Sequence, residues 1–207
     1  MRIMLDYIKT WWIRRELRKH GYVLIKNFLS PEMLELCKCY MDMTLFHSDQ
    51  MREFEKNEKL TGDVIRFNGD PFQDSLLLYY RSLIEKYFDC DEAVPSYIYF
   101  REYRKGSALA IHRDRDQCQF SISVTISTKG EGRNLLTFCD DEYGTNPIEI
   151  ETREGDAILF SGAERYGGRW HYRPALELDT LVQAFIHYVT PDNPADQPFP
   201  RPWYRTK

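Results

Sequence analysis

The alternation of apolar and polar positions predicts helices in the first half of the chain. Apolar residues recur at helical spacing up to Gly21, which ends the first segment. These apolar positions are Leu5, Ile8, Trp12 and Leu17. Residues 22–28 then form a short β-rich run, and Ser30-Pro31 begins a second helix, because Ser is a good N-cap and Pro suits the first helical position.

Two more segments of the first half are assigned from the same pattern. A third helix is predicted over residues 74–88, whereas the strongly charged residues 47–62 are typical of a solvated helix or loop. The Trp11-Trp12 pair would suit a membrane or partner surface, but packing against the rest of the protein is the more frequent role of such residues. We therefore expect both tryptophans to pack on the β core.

After Pro95 the pattern changes to short β-branched and aromatic runs separated by glycine-containing turns. The runs are SYIYFREYR, QFSISVTIS, NLLTF, IEIET, DAILF and TLVQAFIHYV. At least six strands in this length favour a β-sandwich or jelly roll. We divide the chain into a mostly helical part (1–94) packed on the core, a β core (95–190) and a proline-rich tail (191–207), which together form one structural domain.

The composition narrows the class of protein. The 207 residues carry a net charge of −4, which disfavours a general polyanion-binding surface, and the five Cys are an odd number that builds no disulfide framework. Neither a signal peptide nor a run of about 20 apolar residues is found, so we expect a cytoplasmic protein with no membrane partner. Only five His are present, which excludes a histidine-rich metal centre.

Three residues form the strongest candidate for chemistry. His112 and Asp114 lie two positions apart in a predicted extended segment, where their side chains can converge on one ion. His171 lies in the sequence WHYR after a glycine turn and is the best candidate for a third ligand. Two His and one carboxylate with open positions opposite is the arrangement that holds non-haem Fe(II). His47-Ser48-Asp49 has the same spacing, but in a predicted helix, where the two side chains diverge.

Several segments resemble one enzyme family in sequence order, over roughly residues 20 to 190. They are GYVLIKNFLSPEMLE, EYRKGSALAIHRDRDQCQFSISVTIS, GDAILF, RWHYRPAL and LVQAFIHYV. Together they resemble the iron(II)/2-oxoglutarate-dependent dioxygenases, in the branch of prolyl-hydroxylase-like and small bacterial or viral oxygenases. The resemblance implies an α+β fold with a double-stranded β-helix (jelly-roll) core and flanking N-terminal helices.

The resemblance also implies the chemistry. The ligands of Fe(II) would be His112, Asp114 and His171, and the protein would use 2-oxoglutarate and O₂ to hydroxylate a substrate, with release of succinate and CO₂. Related halogenases lack the carboxylate ligand, so Asp114 favours hydroxylation. The primary substrate is not indicated by the sequence; an anionic molecule is one possibility.

One departure from the family concerns the cosubstrate. Family members usually hold the distal carboxylate of 2-oxoglutarate with an Arg or Lys on the strand after the second His, and the run TLVQAFIHYV contains neither. Arg173, two residues after His171, is the nearest cation and could form the bidentate pair that a carboxylate favours. Gln183 and Tyr103 could add neutral hydrogen bonds.

Other interpretations remain open. The main alternative is a non-catalytic, cupin-like module that binds a metal or small ligand. A nucleic-acid-modifying member of the same superfamily is disfavoured by the acidic balance and the lack of an aromatic-basic stripe. Several arginines flank the proposed site, and they form either a locally positive mouth or solvated loop charge compensated by nearby Asp and Glu.

Overall fold

The computed structural model describes residues 2–47, 53–54, 60–62, 64–68 and 70–193. The α-helices are α1 (Arg2–His20), α2 (Pro31–His47), α3 (Pro71–Tyr79) and α4 (Arg81–Phe88). The strands are β1 (Tyr22–Ile25), β2 (Glu53–Phe54), β3 (Leu60–Thr61), β4 (Val64–Asn68), β5 (Val94–Arg104), β6 (Ala108–His112), β7 (Phe120–Lys129), β8 (Leu135–Cys139), β9 (Ile148–Glu151), β10 (Ala157–Phe160), β11 (Trp170–Arg173) and β12 (Thr180–Val189).

The strands form two antiparallel sheets. One has seven strands in the order β1-β10-β7-β12-β5-β4-β2, and the other has five in the order β3-β6-β11-β8-β9. The sheets pack face to face, since Phe138 and Ile150 of the five-stranded sheet share one cluster with Ile158 and Phe160 of the other. This is the predicted α+β fold with a double-stranded β-helix core and flanking helices.

Strand β7 shows how the sequence divides the two faces of the seven-stranded sheet. Side chains alternate along a strand, and Ile122, Val124 and Ile126 join the apolar cluster formed with the helices. The intervening Ser121, Ser123 and Thr125 point between the sheets, where all three are buried. These hydroxyl side chains contact the polar interior, where Ser121 Oγ lies 2.9 Å from His187 Nδ1 and Ser123 Oγ accepts from Gln183 Nε2 at 3.5 Å.

The third predicted helix is two helices. Tyr80 ends α3 and begins α4 with φ −87° and ψ 0°, which lies outside the helical range. Its N–H still donates to the carbonyl of Leu76, and its own carbonyl accepts from Ile84. The bend lets Leu77 on α3 and Ile84 on α4 both face the core, where they are 2% and 0% exposed.

Other expectations for the first half are also wrong or fall outside the described residues. Within the charged residues 47–62, the described parts are the end of α2 and the short strands β2 and β3 rather than a solvated helix. Trp11 and Trp12 are 52% and 43% exposed, so they do not pack on the β core. Beyond residue 193 the proline-rich tail lies outside the described residues. Ser48 and Asp49 also lie outside the described residues. None of the described helices is long and apolar enough to cross a membrane.

Candidate metal centre

The structure brings His112, Asp114 and His171 together at one end of the β-helix. His112 ends β6, and His171 on β11 is its direct antiparallel partner. Asp114 Oδ1 lies 3.4 Å from His112 Nε2 and 3.7 Å from His171 Nε2. Metal–ligand bonds of about 2 Å at right angles would separate the ligand atoms by about 3 Å, so both distances from Asp114 are slightly longer than a bound ion would require.

Both imidazole rings direct their Nε2 atoms toward Asp114 Oδ1. Nδ1 of His112 lies 2.8 Å from the carbonyl oxygen of Ala110, and Nδ1 of His171 lies 3.0 Å from that of Arg169. A carbonyl only accepts, so each Nδ1 carries the proton and donates. Nε2 is therefore the nitrogen that each ring directs toward Asp114 and that the ring would offer to a metal when it is neutral, which is the arrangement typical of metal-binding histidines.

Backbone contacts to the loop before β11 fix the position of Asp114. Its N–H donates to the carbonyl of Gly162 at 2.8 Å, and its carbonyl accepts from the N–H of Glu164. A Cβ atom at Gly162 would lie 2.1 Å from Asp114 Oδ2, so only glycine allows the carboxylate this close approach. Gly162 thus has a defined role beside Asp114.

The environment keeps Asp114 ionised. Burial raises the pKa of a carboxyl group, but the adjacent His171 and the hydrogen bond from His112 outweigh this effect. The pKa of Asp114 therefore lies well below its ordinary value. One carboxylate beside two imidazole rings is the donor set that suits non-haem Fe(II).

His47 is the last residue of α2, and its side chain lies outside the described part of the structure. His187 on β12 is buried beside the group, but its Nδ1 lies 2.9 Å from Ser121 Oγ and its ring packs 4.6 Å from that of Tyr97. Among the described residues, His112, Asp114 and His171 form the one group arranged to hold a metal ion.

Arg173 points into the β-helix on the same side of β11 as His171. Two residues along a strand cover about 6.5 Å, which is comparable to the length of a five-carbon dicarboxylate. Arg173 is 3% exposed and forms no ion pair with any acidic residue that the structure describes. Burial lowers the pKa of its guanidinium, with the Tyr103 hydroxyl acting in the opposite direction.

A network of hydrogen bonds holds the Arg173 guanidinium in place and leaves two of its N–H donors unused. Its Nη1 donates to Asn134 Oδ1 at 2.6 Å and to the Leu135 carbonyl at 2.9 Å, and its Nη2 donates to Gln183 Oε1 at 2.6 Å. Asn134 is held in turn by the hydroxyls of Thr125 and Thr152. The buried Nε has no hydrogen-bond partner among the described residues, and one Nη2 hydrogen also remains after the bond to Gln183. An N–H on each of two nitrogens is what a carboxylate needs for bidentate pairing.

Tyr103 and Arg101 complete this end of the interior. The Tyr103 ring lies beneath the guanidinium of Arg173, with its centroid 5.0 Å from Cζ. Its hydroxyl accepts a hydrogen bond of 2.8 Å from Arg101 Nη1, which leaves the hydroxyl hydrogen available to an acceptor. Arg101 is one of the arginines that flank the proposed site in the sequence, whereas Asn134 is a buried polar residue that the sequence did not identify.

Three of the arginines around the mouth form ion pairs with acidic residues. Arg113 pairs with Glu164, and Arg169 pairs with Asp140 at 2.7 Å. Arg104 likewise pairs with Glu102 at 3.2 Å. Solvated, compensated charge therefore describes these three positions better than a positive mouth does, whereas Arg173 in the interior pairs with no acidic residue that the structure describes.

A stacked pair joins the two strands that carry the histidines. Arg113 follows His112 and Trp170 precedes His171, and the Arg113 guanidinium carbon lies 4.6 Å from the centroid of the Trp170 ring. Neighbouring side chains on a strand point to opposite faces, so this contact lies on the side away from the metal group. The pair positions the two ligand strands without touching the metal.

We expect Trp170→Ala to weaken Fe(II) binding by about tenfold, because groups that orient metal ligands contribute 10–100-fold to affinity. Anaerobic Fe(II) titration measures the effect, and circular dichroism verifies the fold. Trp12→Ala removes an exposed tryptophan on α1 as the matched control and should bind Fe(II) like the original protein. Unchanged Fe(II) affinity in Trp170→Ala would show that the stack does not position the ligands.

Comparison with known proteins identifies the fold. No family model and no curated protein matches the sequence. An oxidoreductase of the 2OG-Fe(II) oxygenase family from Burkholderia pseudomallei has a TM-score of 0.68 and 13% identity over 86% of this chain and 90% of its own. A Pseudomonas putida prolyl-4-hydroxylase has a TM-score of 0.62 and 15% identity over 86% and 98% of the two chains.

The epimerase SnoN from nogalamycin biosynthesis, solved with Fe³⁺ and alpha ketoglutarate, has a TM-score of 0.72 and 14% identity over 89% and 84% of the two chains. The chain therefore has the double-stranded β-helix fold of the 2-oxoglutarate oxygenases. At these sequence identities the likeness concerns the fold, and the chemistry depends on the residues described above.

Proposed function

We propose that this protein is an Fe(II)- and 2-oxoglutarate-dependent oxygenase that hydroxylates a substrate with release of succinate and CO₂. The observation that carries the proposal is the placement of two complementary sites in one interior. His112, Asp114 and His171 offer three ligand atoms within 4.8 Å of one another. Arg173, on the same strand and face as His171, offers two unused N–H donors to an anion.

The roles of the residues follow from their positions. His112, Asp114 and His171 would hold Fe(II) on one side and leave the opposite side to small molecules. Arg173 would bind the distal carboxylate of 2-oxoglutarate, and the Tyr103 hydroxyl would donate to the same group. Gln183 accepts from Arg173 and so orients the guanidinium. When bound, iron and 2-oxoglutarate supply the activation of O₂ and the oxidation of the substrate.

The position of the cation explains the departure from the family pattern. In the family the cation usually comes from the strand after the second His, which here is β12. Gln183 lies on that strand at an interior position, and its side-chain oxygen contacts Arg173. In this proposal a cation from β11 and an amide from β12 would together take the role that one Arg or Lys of β12 has in the family.

The experiment is an anaerobic titration of the protein with Fe(II) and then 2-oxoglutarate. We expect a metal-to-ligand charge-transfer absorption band when both are present, and succinate after O₂ is admitted. Fe(II) with succinate in place of 2-oxoglutarate is the control and should give no band. Metal binding without the band and without succinate would instead support a cupin-like binding module.

A further inference from the structure

Helix α1 has an exposed face that the fold does not use. The helix packs on the protein through Ile13 and Leu17, which are 0% and 9% exposed. The opposite side, which we call the outer α1 face, consists of Tyr7, Ile8, Trp11, Trp12, Arg15, Arg18 and Lys19. These positions share one side of a helix, since residues three, four and seven apart lie above one another.

Its first half is apolar and its second half is basic. Tyr7, Ile8, Trp11 and Trp12 are 73%, 53%, 52% and 43% exposed, which places four large apolar side chains in a row. Single exposed apolar residues are ordinary, but a contiguous group of this kind marks an interaction surface. Arg15 lies over the Trp11 ring at 5.7 Å and so joins the two halves.

The charge of α1 opposes that of the whole protein. Six of the 28 Lys and Arg residues lie in Arg2–His20, against two of the 32 Asp and Glu residues. Arg15 and Lys19 form no ion pair with the described residues, and Arg18 reaches Asp89 only at 3.8 Å. Asp6 and Glu16 lie off the outer face and are engaged with Lys86 and His20. Arg15 and Lys19 therefore give the outer face positive charge that no described acidic residue compensates.

We propose that the outer α1 face docks this protein on the surface of an anionic phospholipid bilayer. Trp and Tyr rings suit the interface between headgroups and acyl chains, because one end of each ring is apolar and the other forms hydrogen bonds. Lys and Arg beside them attract anionic headgroups. Ile13 and Leu17 would keep α1 packed on the protein while its outer face contacts the bilayer surface.

The charge argues against a second copy of this chain as the occupant. A two-fold contact places the same surface patch on both subunits. It would bring together two sets of Arg15, Arg18 and Lys19, and the outer face supplies no Asp or Glu to pair with them. Anionic headgroups supply the missing negative charge.

The test is co-sedimentation of the full chain with large unilamellar vesicles, without metal or 2-oxoglutarate. We expect binding to vesicles of about three parts phosphatidylcholine to one part phosphatidylglycerol, weaker binding in high salt, and little binding to phosphatidylcholine alone. Arg15→Glu with Lys19→Glu should lower the partition coefficient by about 30-fold or more. Trp11→Ala should lower it by about tenfold.

The matched controls are substitutions of the same type at exposed positions outside α1. Lys129→Glu with Arg153→Glu makes the same change in net charge at exposed positions, and Tyr143→Ala removes an aromatic side chain that is 83% exposed. Both controls should bind vesicles like the original chain. No binding to anionic vesicles, or equal binding by the α1 variants and the controls, would overturn the proposal. A dimer in solution that Trp11→Ala dissociates would also overturn it, since a second copy would then cover the face.

Discussion

Asp114→Ala is expected to lower Fe(II) affinity by more than about 100-fold, because groups that only orient a ligand already contribute 10–100-fold. The carboxylate is the anionic member of the group, and its Oδ1 atom lies within 3.7 Å of both imidazole Nε2 atoms. Its loss leaves two neutral rings, which do not compensate the charge of a divalent ion. Anaerobic equilibrium dialysis with Fe(II), followed by metal analysis, measures the loss.

The second His-x-Asp sequence provides the control for this prediction. His171→Ala should lose Fe(II) as Asp114→Ala does, whereas His47→Ala should retain it. Asp114→Asn keeps the size of the side chain but not the charge, so it separates loss of the ligand from a cavity in the protein. Circular dichroism of each metal-free variant shows whether it is folded. Equal loss of iron from folded His47→Ala would mean that the metal group has been assigned to the wrong residues.

The metal group could be predicted from the sequence because its chemistry is local and the choices were few. The side chains of His112 and Asp114 converge in any extended segment, because they are two positions apart. Since the chain has five histidines, few residues could supply the third ligand. The strands that carry them were less evident. ALAIH and WHYR are four or five residues long and place polar side chains inward, so the apolar pattern that revealed the other strands of the β core is missing from both.

The rest of the interior depends on tertiary contacts that no spacing encodes. Asn134 and Arg173 are 39 positions apart, and their hydrogen bond arises from the pairing of β8 with β11. Arg101 is one of several arginines near the site in the sequence, and only the alternation along β5 separates the buried one from the exposed Arg104. The exposure of Trp11 and Trp12 was missed for a related reason, because α1 has apolar residues on two sides and the periodicity does not say which side is buried.

Arg173→Met is expected to raise the dissociation constant of 2-oxoglutarate by on the order of 100-fold, since removing one partner of a buried charge pair costs about 2–5 kcal/mol. Arg173→Lys keeps the charge but loses the paired donors, so we expect an intermediate loss of about tenfold. The charge-transfer band, titrated with 2-oxoglutarate at saturating Fe(II), measures both. Arg133→Met is the matched control, because Arg133 is half exposed and its guanidinium pairs with Glu149 and Glu151.

A structural role of Arg173 can be separated from a binding role by the choice of cosubstrate. 2-Oxopentanoate has the same chain length as 2-oxoglutarate and the same metal-binding end, but it lacks the distal carboxylate. If Arg173 binds that carboxylate, the original protein should prefer 2-oxoglutarate strongly, and Arg173→Met should lose most of the preference. General loosening of the interior, where Arg173 also holds Asn134 and Gln183, would weaken both acids alike and keep the preference. A retained preference in folded Arg173→Met would therefore assign the distal carboxylate to another residue, and the nearby Arg101 would be the next to replace.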